Sequence, residues 1–141
     1  MLSVYLAGEI HSNWREEIIQ ICEKEKLDVK ITYPVTDHED SENCGVEILG
    51  AEEKNFWKDR KAANINSIRT KKSIQDCDVI IVKSGEKFKQ WNAAFDAGYA
   101  TALNKSMIVI HNDDHRHAIK ALDGSADAVA PDQKQAFRTF K

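Results

Sequence analysis

Asp96 is the residue whose type and setting most invite chemistry. It lies in the run Gln90-Trp91-Asn92-Ala93-Ala94-Phe95-Asp96-Ala97-Gly98-Tyr99. Small apolar neighbours there leave a carboxylate partly desolvated, and aspartate is a mediocre helix-interior residue by propensity. A carboxylate so placed serves as a nucleophile at a sugar carbon or as a general base. The plain alternative is an exposed acid, or one that caps a loop. Glu9 and Asp37 are two further acids in loops that follow apolar runs. The donors in comparable loops are His11, His38, Lys83, Ser84, Lys87, Lys89, Trp91 and Asn92. Gly8 lets backbone approach a ligand closely. The turn Lys83-Ser84-Gly85, with Lys87 and Lys89, suits an anion, although it lacks the glycine spacing of a phosphate-binding P-loop. Trp91 suits stacking on a base or sugar, and equally a core, since Phe88, Trp91, Phe95 and Tyr99 share helical spacing. His11, His38, Asp37 and Cys44 match no standard metal-ligand spacing, so neither metal nor cofactor is expected.

These residues belong together only if the chain brings their loops to one place. Leu2 to Ala7 reads as a first strand. Asn13 with Glu16 reads as a capping-box-like helix start, and Trp14, Ile18, Ile21 and Cys22 form one apolar stripe. Val29 to Val35 reads as a second strand. Thr36 to Gly50 reads as a long polar loop. Ala51 to Ile74 reads as a helix interrupted at Asn64 and Asn66, which are poor helix-interior residues. Val79 to Val82, the helical Trp91 to Leu103 and Met107 to Ile110 form a strand–helix–strand unit, hence two parallel neighbours. A short helix at Ala118 to Leu122, an edge strand at Ala126 to Ala130 and a helix after Pro131 complete the chain. The alternation predicts a three-layer α/β domain, flavodoxin-like or Rossmann-like, with a parallel sheet in the order 2-1-3-4-5. Ligands of such sheets bind beyond the carboxyl ends of the strands. There Gly8 to Ser12, Thr36 to Asp40 and Lys83 to Asp96 converge.

At 141 residues the chain is expected to form one domain over 1–141. A net charge of −3 argues against a general nucleic-acid binder. Residues 54–89 nonetheless hold ten Lys/Arg against four Asp/Glu, a local basic face suited to an anionic small molecule or simply to solvent. Three cysteines without paired spacing suit a reducing compartment. No segment reads as a signal peptide or membrane span, so a cytoplasmic protein with no membrane partner is expected.

Several of these segments also carry a family resemblance. Tyr5-Leu6-Ala7-Gly8 is similar to the opening strand of nucleoside 2-deoxyribosyltransferases, and Asp96-Ala97-Gly98-Tyr99-Ala100 resembles their carboxylate-Xaa-Gly-Xaa-Ala segment. The match is closer to the YtoQ branch. Gly8-Glu9-Ile10-His11, Pro34-Val35-Thr36-Asp37-His38-Glu39, Phe56-Trp57-Lys58-Asp59, Ile65-Asn66-Ser67-Ile68-Arg69-Thr70 and Lys89-Gln90-Trp91-Asn92-Ala93-Ala94-Phe95-Asp96-Ala97-Gly98 resemble its hallmark segments. The resemblance implies a deoxyribosyl-transfer fold, usually oligomeric, with Asp96 in the place of a nucleophilic glutamate. Aspartate is shorter by one methylene, about 1.5 Å of chain. Trp91-Asn92-Ala93 replaces a Gly-Thr, and a second family acid falls near Arg69 or Thr70. The implied ligand is a nucleoside or nucleotide-like small molecule. Glu9 and Asp37 are candidates to assist Asp96, and Arg69, Lys83, Lys87 and Lys89 are candidates to hold an anionic group. The expected function is cleavage or transfer of an N-glycosidic bond. The alternative is a ligand-binding or sensor module without turnover. Phe56, Trp57, Phe137 and Phe140 are candidates for a self-interface in a homo-oligomer.

Overall fold

Side-chain alternation along the strands divides the core in two. Val4 and Leu6 face one side of β1 (Leu2–Gly8), while Tyr5 and Ala7 face the other. The same period of two recurs in β3 (Val79–Lys83) and β4 (Ser106–Ile110). Ile81, Ile108 and Ile110 join Val4, and Ile80, Val82, Met107 and Val109 join Tyr5. A strand buried on both faces requires helices on both faces. The computed structural model, which describes residues 1–87 and 91–140, has that arrangement. The five strands run in the order β2-β1-β3-β4-β5, with every pairing parallel. β2 is Val29–Thr32 and β5 is Ala128–Ala130. The register sets Gly8 beside Lys83 and Lys83 beside Ile110, so the ends of β1, β3 and β4 are level.

The helices supply the outer layers. In α1 (Trp14–Glu25) the residues Trp14, Ile18 and Cys22 are buried, as the apolar stripe requires. Asn13 does not cap it with its side chain. Its ψ of 22° departs from the extended backbone that a capping side chain needs. β2 ends at Thr32 rather than Val35; the following Pro34 has no N–H to give a ladder.

The polar stretch after Thr36 is a helix, not a loop. α2 (His38–Leu49) starts at Asp37, whose carboxylate accepts from Asp40 N–H at 3.0 Å. Glu39 and Asp40 in its first turn suit the positive end of the helix. Gly45 lets α2 lie against α3, because a Cβ there would stand 2.2 Å from Ala62 N. α3 (Asn55–Asp76) is continuous, without a break at Asn64 or Asn66. The Asn66 amide donates to Ser41 O and Oγ, both at 3.0 Å, so it bonds the neighbouring helix instead of competing with its own. Lys105 closes the other end of α3 by donating to Gln75 O and Cys77 O, each at 2.7 Å.

α4 (Trp91–Ala102) buries Ala93, Ala97 and Ala100 on the Tyr5 side of the sheet. The short helix near residue 120 is α5 (Lys120–Ser125), slightly later than its sequence predicts. α6 (Gln133–Phe137) covers the opposite face. Phe137 is buried there, so its ring is not available to a self-interface, while Phe140 is partly buried against the same core. Phe56 and Trp57, by contrast, are exposed. Cys22, Cys44 and Cys77 are buried and free. Burial pushes the Cys22 and Cys77 thiols up, which keeps them protonated and unreactive. Among the described residues no helix is long and apolar enough to cross a membrane.

Candidate functional site

The site starts at the end of β1. Gly8 has φ +114°, and a Cβ there would stand 2.0 Å from Lys83 O. Only glycine lets β1 end so close against β3. The next turn is held by Arg15, a buried cation that meets carbonyls rather than a carboxylate. It donates to Glu9 O (2.7 Å), Gly8 O (3.1 Å) and Leu6 O (3.3 Å) and stacks 4.6 Å from the Trp14 ring centroid. Trp14 Nε1 adds a bond to Glu9 O at 2.9 Å. The start of the Gly8 to Ser12 loop therefore has its Gly8 and Glu9 carbonyls tied down and is built rather than loose.

Two cavities flank this loop. The larger, about 710 Å³, runs between α3 and α4 and includes Asp96, Asn92 and Phe95 from α4. Ala63, Asn66, Ser67, Thr70 and Ser73 form its α3 wall at helical spacing, a stripe of small and mostly polar residues, with Arg69 and Lys71 beside it. Tyr33, Pro34 and Val35 line it beyond the end of β2. The smaller cavity, about 370 Å³, lies over the ends of β3 and β4 and includes Lys83, Ser84, Gly85, Lys87, His111 and Asn112. Glu9 and His11 line both.

Asp96 occupies the second turn of α4. Burial alone raises its carboxyl pKa to about 6. Among the described residues it accepts no hydrogen bond and forms no ion pair. Tyr5 is the polar group beneath it. Its hydroxyl is fully buried and meets no partner in hydrogen-bonding geometry among the described residues. Burial first, and then the charge of Asp96, push the Tyr5 pKa up to about 12, against an opposing influence of Thr70. Tyr5 therefore stays protonated at neutral pH and has a proton to share.

Glu9 is as buried as a core residue, with 6% of its surface exposed. Burial opposes its ionisation. The Ser12 hydroxyl, the N–H groups of His11 (2.7 Å) and Ser12 (3.1 Å), and Lys83 at 4.0 Å outweigh that and hold its pKa below the ordinary carboxylate value.

The remaining expected site residues divide. Gly8, His11, Arg69 and Asn92 join Asp96 in the larger cavity, whereas Lys83, Ser84, Gly85 and Lys87 lie in the smaller one. Asp37 is the cap of α2 and lines neither. His38 also lines neither, although its ring centroid is 6.2 Å from that of His11. Trp91 is 73% exposed and outside both linings. Lys89 lies outside the described residues. Among the described residues no group of three or more His, Cys, Asp or Glu is arranged for a metal ion. Tyr5, Thr70 and Arg15 are important residues that sequence reasoning misses. The α3 stripe is legible in its spacing once α3 is known to be unbroken. Tyr5 carries no signal beyond being the one hydroxyl-bearing ring in an apolar strand.

A family profile described as nucleoside 2-deoxyribosyltransferase YtoQ matches residues 5–141. The chain belongs to the YtoQ nucleoside 2-deoxyribosyltransferase family. It is 42% identical over 137 residues to the uncharacterised protein YtoQ of Bacillus subtilis (strain 168), covering 97% of this chain and 93% of that one. Two solved structures show the same fold at low identity. One is the 2-deoxyribosyltransferase of Bacillus psychrosaccharolyticus, with a TM-score of 0.57 and 15% identity over 98% of this chain and 95% of that one. The other is the Clostridium botulinum CMP N-glycosidase BcmB, with a TM-score of 0.55 and 13% identity over 97% and 95%. The fold is therefore that of deoxyribosyltransferases and N-glycosidases. In this YtoQ family member, Asp96 and the Tyr5 strand fall in the segments that resemble the wider transferase family.

Proposed function

We propose that the protein cleaves or transfers the N-glycosidic bond of a deoxynucleoside or nucleotide, with Asp96 as the nucleophile. The observation that carries this is a desolvated carboxylate, without a partner among the described residues, on the wall of a ligand-sized cleft. An Asp96 oxygen bonds to the anomeric carbon as the carbon–nitrogen bond breaks, and the base leaves with the bonding electrons and takes up a proton. His11 on the rim is a side chain able to supply it. Water or a second base then displaces Asp96. Tyr5, with a pKa of about 12, is too weak an acid for this step. Its part is to give a hydrogen bond that holds the Asp96 carboxylate in line with the sugar carbon as an oxocarbenium-like transition state forms. The kinship with a 2-deoxyribosyltransferase and a CMP N-glycosidase supports this substrate class. The test is incubation with 2′-deoxynucleosides and their monophosphates, followed by quantification of free base. Release by the wild type that falls roughly 10³-fold or more in Asp96→Asn supports the reading. Equal release by both proteins removes Asp96 from the mechanism.

A second reading, ligand binding without turnover, is favoured by one observation. Glu9, the other carboxylate on the cleft, is already committed to its own loop. A large thermal shift with nucleosides, without any product, selects it.

A further inference from the structure

His111, the residue that follows β4, is buried with 8% of its surface exposed, and both of its ring nitrogens meet acceptors. Nδ1 lies 2.6 Å from Asn112 O, and Nε2 lies 3.0 Å from Asp123 Oδ2. A carbonyl and an ionised carboxylate have no proton to give. A neutral imidazole has one N–H donor and one lone pair, so it satisfies only one of these contacts. Turning the ring over does not help. A C–H would then face the carbonyl well inside the roughly 3.3 Å that such contacts keep. The pair therefore holds one proton more than a neutral histidine and a carboxylate. Imidazole is the stronger base of the two, so that proton belongs to the ring.

This pair ties down a segment that has little else to hold it. The His111 N–H bonds Ala130 O at 3.2 Å, which fixes the residue to the sheet, whereas Asp123 belongs to α5. Neither the turn Asp113–His115 nor α5 has a buried residue, and Ile119 and Leu122 are only partly buried against the core. The segment also supplies Asn112, whose amide donates to Glu86 at 3.1 Å on the lining of the smaller cavity. Asp123 is the acid that faces the ring. The other titratable groups on the elements around His111 are His115 in the same segment, Lys83 and Lys87, and Glu9 and Glu86, and the two lysines offset the two acids. β5 brings none. We propose that the proton shared by His111 and Asp123 clamps the 112–125 segment to the end of β4, so that this wall of the smaller cavity loosens as pH rises. Loss of the proton leaves Nε2 with a lone pair against Asp123 Oδ2, while Nδ1 keeps its bond to Asn112 O. Asp123 Oδ1 is buried without a partner among the described residues, so no bond at that oxygen retains the carboxylate. Only the folded chain has this arrangement. Its stabilisation is therefore present while the ring holds its second proton and is lost as pH rises.

The test uses the full chain without ligand, so its outcome is separate from that of the nucleoside reading. Nitrogen-15 NMR of the His111 ring should show two protonated nitrogens at about pH 6 and one at about pH 9. Amide hydrogen exchange over 112–125, corrected for the intrinsic effect of pH, should lose about tenfold or more of its protection across the same range. Asp123→Asn gives Nε2 a neutral partner that can either accept or donate, so it should remove that dependence. Should this variant not fold, the wild-type measurements decide alone. A single protonated ring nitrogen at the acid end overturns the inference, and so does protection of the segment that does not change with pH. A dependence on pH that persists in folded Asp123→Asn overturns the role of Asp123.

Discussion

Glu9 and Asp96 line the same cleft, and the fold treats them in opposite ways. Both are withdrawn from water. Glu9 is surrounded by donors and a lysine, so its ionised form is favoured and its pKa falls. Asp96 has no donor among the described residues, so burial acts unopposed and its pKa rises to about 6. Burial by itself therefore does not say what a carboxylate is for. A buried acid held by several donors organises its loop, whereas one left without them stores free energy that a ligand can recover.

That contrast yields predictions, the largest first. If the unfilled carboxylate is the nucleophile, base release should rise as pH increases through about 6, where Asp96 ionises, and Asp96→Asn should abolish the rise along with roughly 10³-fold or more of the rate. A pH–rate profile of both proteins checks this.

The second prediction concerns stability. The folded pKa of Asp96 lies above its ordinary 3.8, so the folded state binds the proton more tightly than the unfolded state, and ionisation costs the folded state stability. The cost is absent below about pH 4 and complete above about pH 6. Removing the charge should relieve it. Asp96→Asn should thus raise stability at pH 7 by up to about 3 kcal/mol, with the gain vanishing near pH 4. Urea denaturation at the two pH values measures it, and a destabilised Asp96→Asn at pH 7 would break the contrast.

For Glu9 the sign reverses. Its folded pKa is depressed, so its stabilisation is present above the ordinary carboxylate value of 4.5 and lost as pH falls through the folded value. Glu9→Gln should lower stability at pH 7 by roughly 1–3 kcal/mol, with a smaller effect under acid conditions. The smallest effect belongs to Tyr5→Phe. It deletes a buried hydroxyl that has no partner among the described residues, so it should leave stability unchanged or raise it by about 1 kcal/mol. It should nevertheless slow base release by roughly tenfold or more. A clear loss of stability would show that the hydroxyl is bonded in the native state.

The parallel sheet and its order were legible because β-branched runs alternate with apolar helix stripes, and short connections leave few topologies. Asp96 was legible because small apolar neighbours announce a desolvated acid. α2 was not, since its charged surface hides a buried edge of Cys44 and Gly45 that only α3 reveals. Asn66 looked like a helix breaker because its partner, Ser41, is distant in sequence. The division of the expected site into two cavities was equally invisible. Arg69 and Lys83 both read as cations for one anionic ligand, yet the fold sets Arg69 on the larger cavity with Asp96 and Lys83 on the smaller one, 4.0 Å from Glu9.

Local pattern alone determined the sheet, its order and the position of Asp96 early in the helix that follows β3. These follow from periodicity and from the chirality of chain crossovers. Tertiary structure alone decided what each acid is for. A pKa depends on which donors stand within a few ångströms, and those donors come from the far side of a turn, a neighbouring strand or another helix. The same carboxylate group is thereby held by donors at Glu9, committed as a helix cap at Asp37 and left open at Asp96.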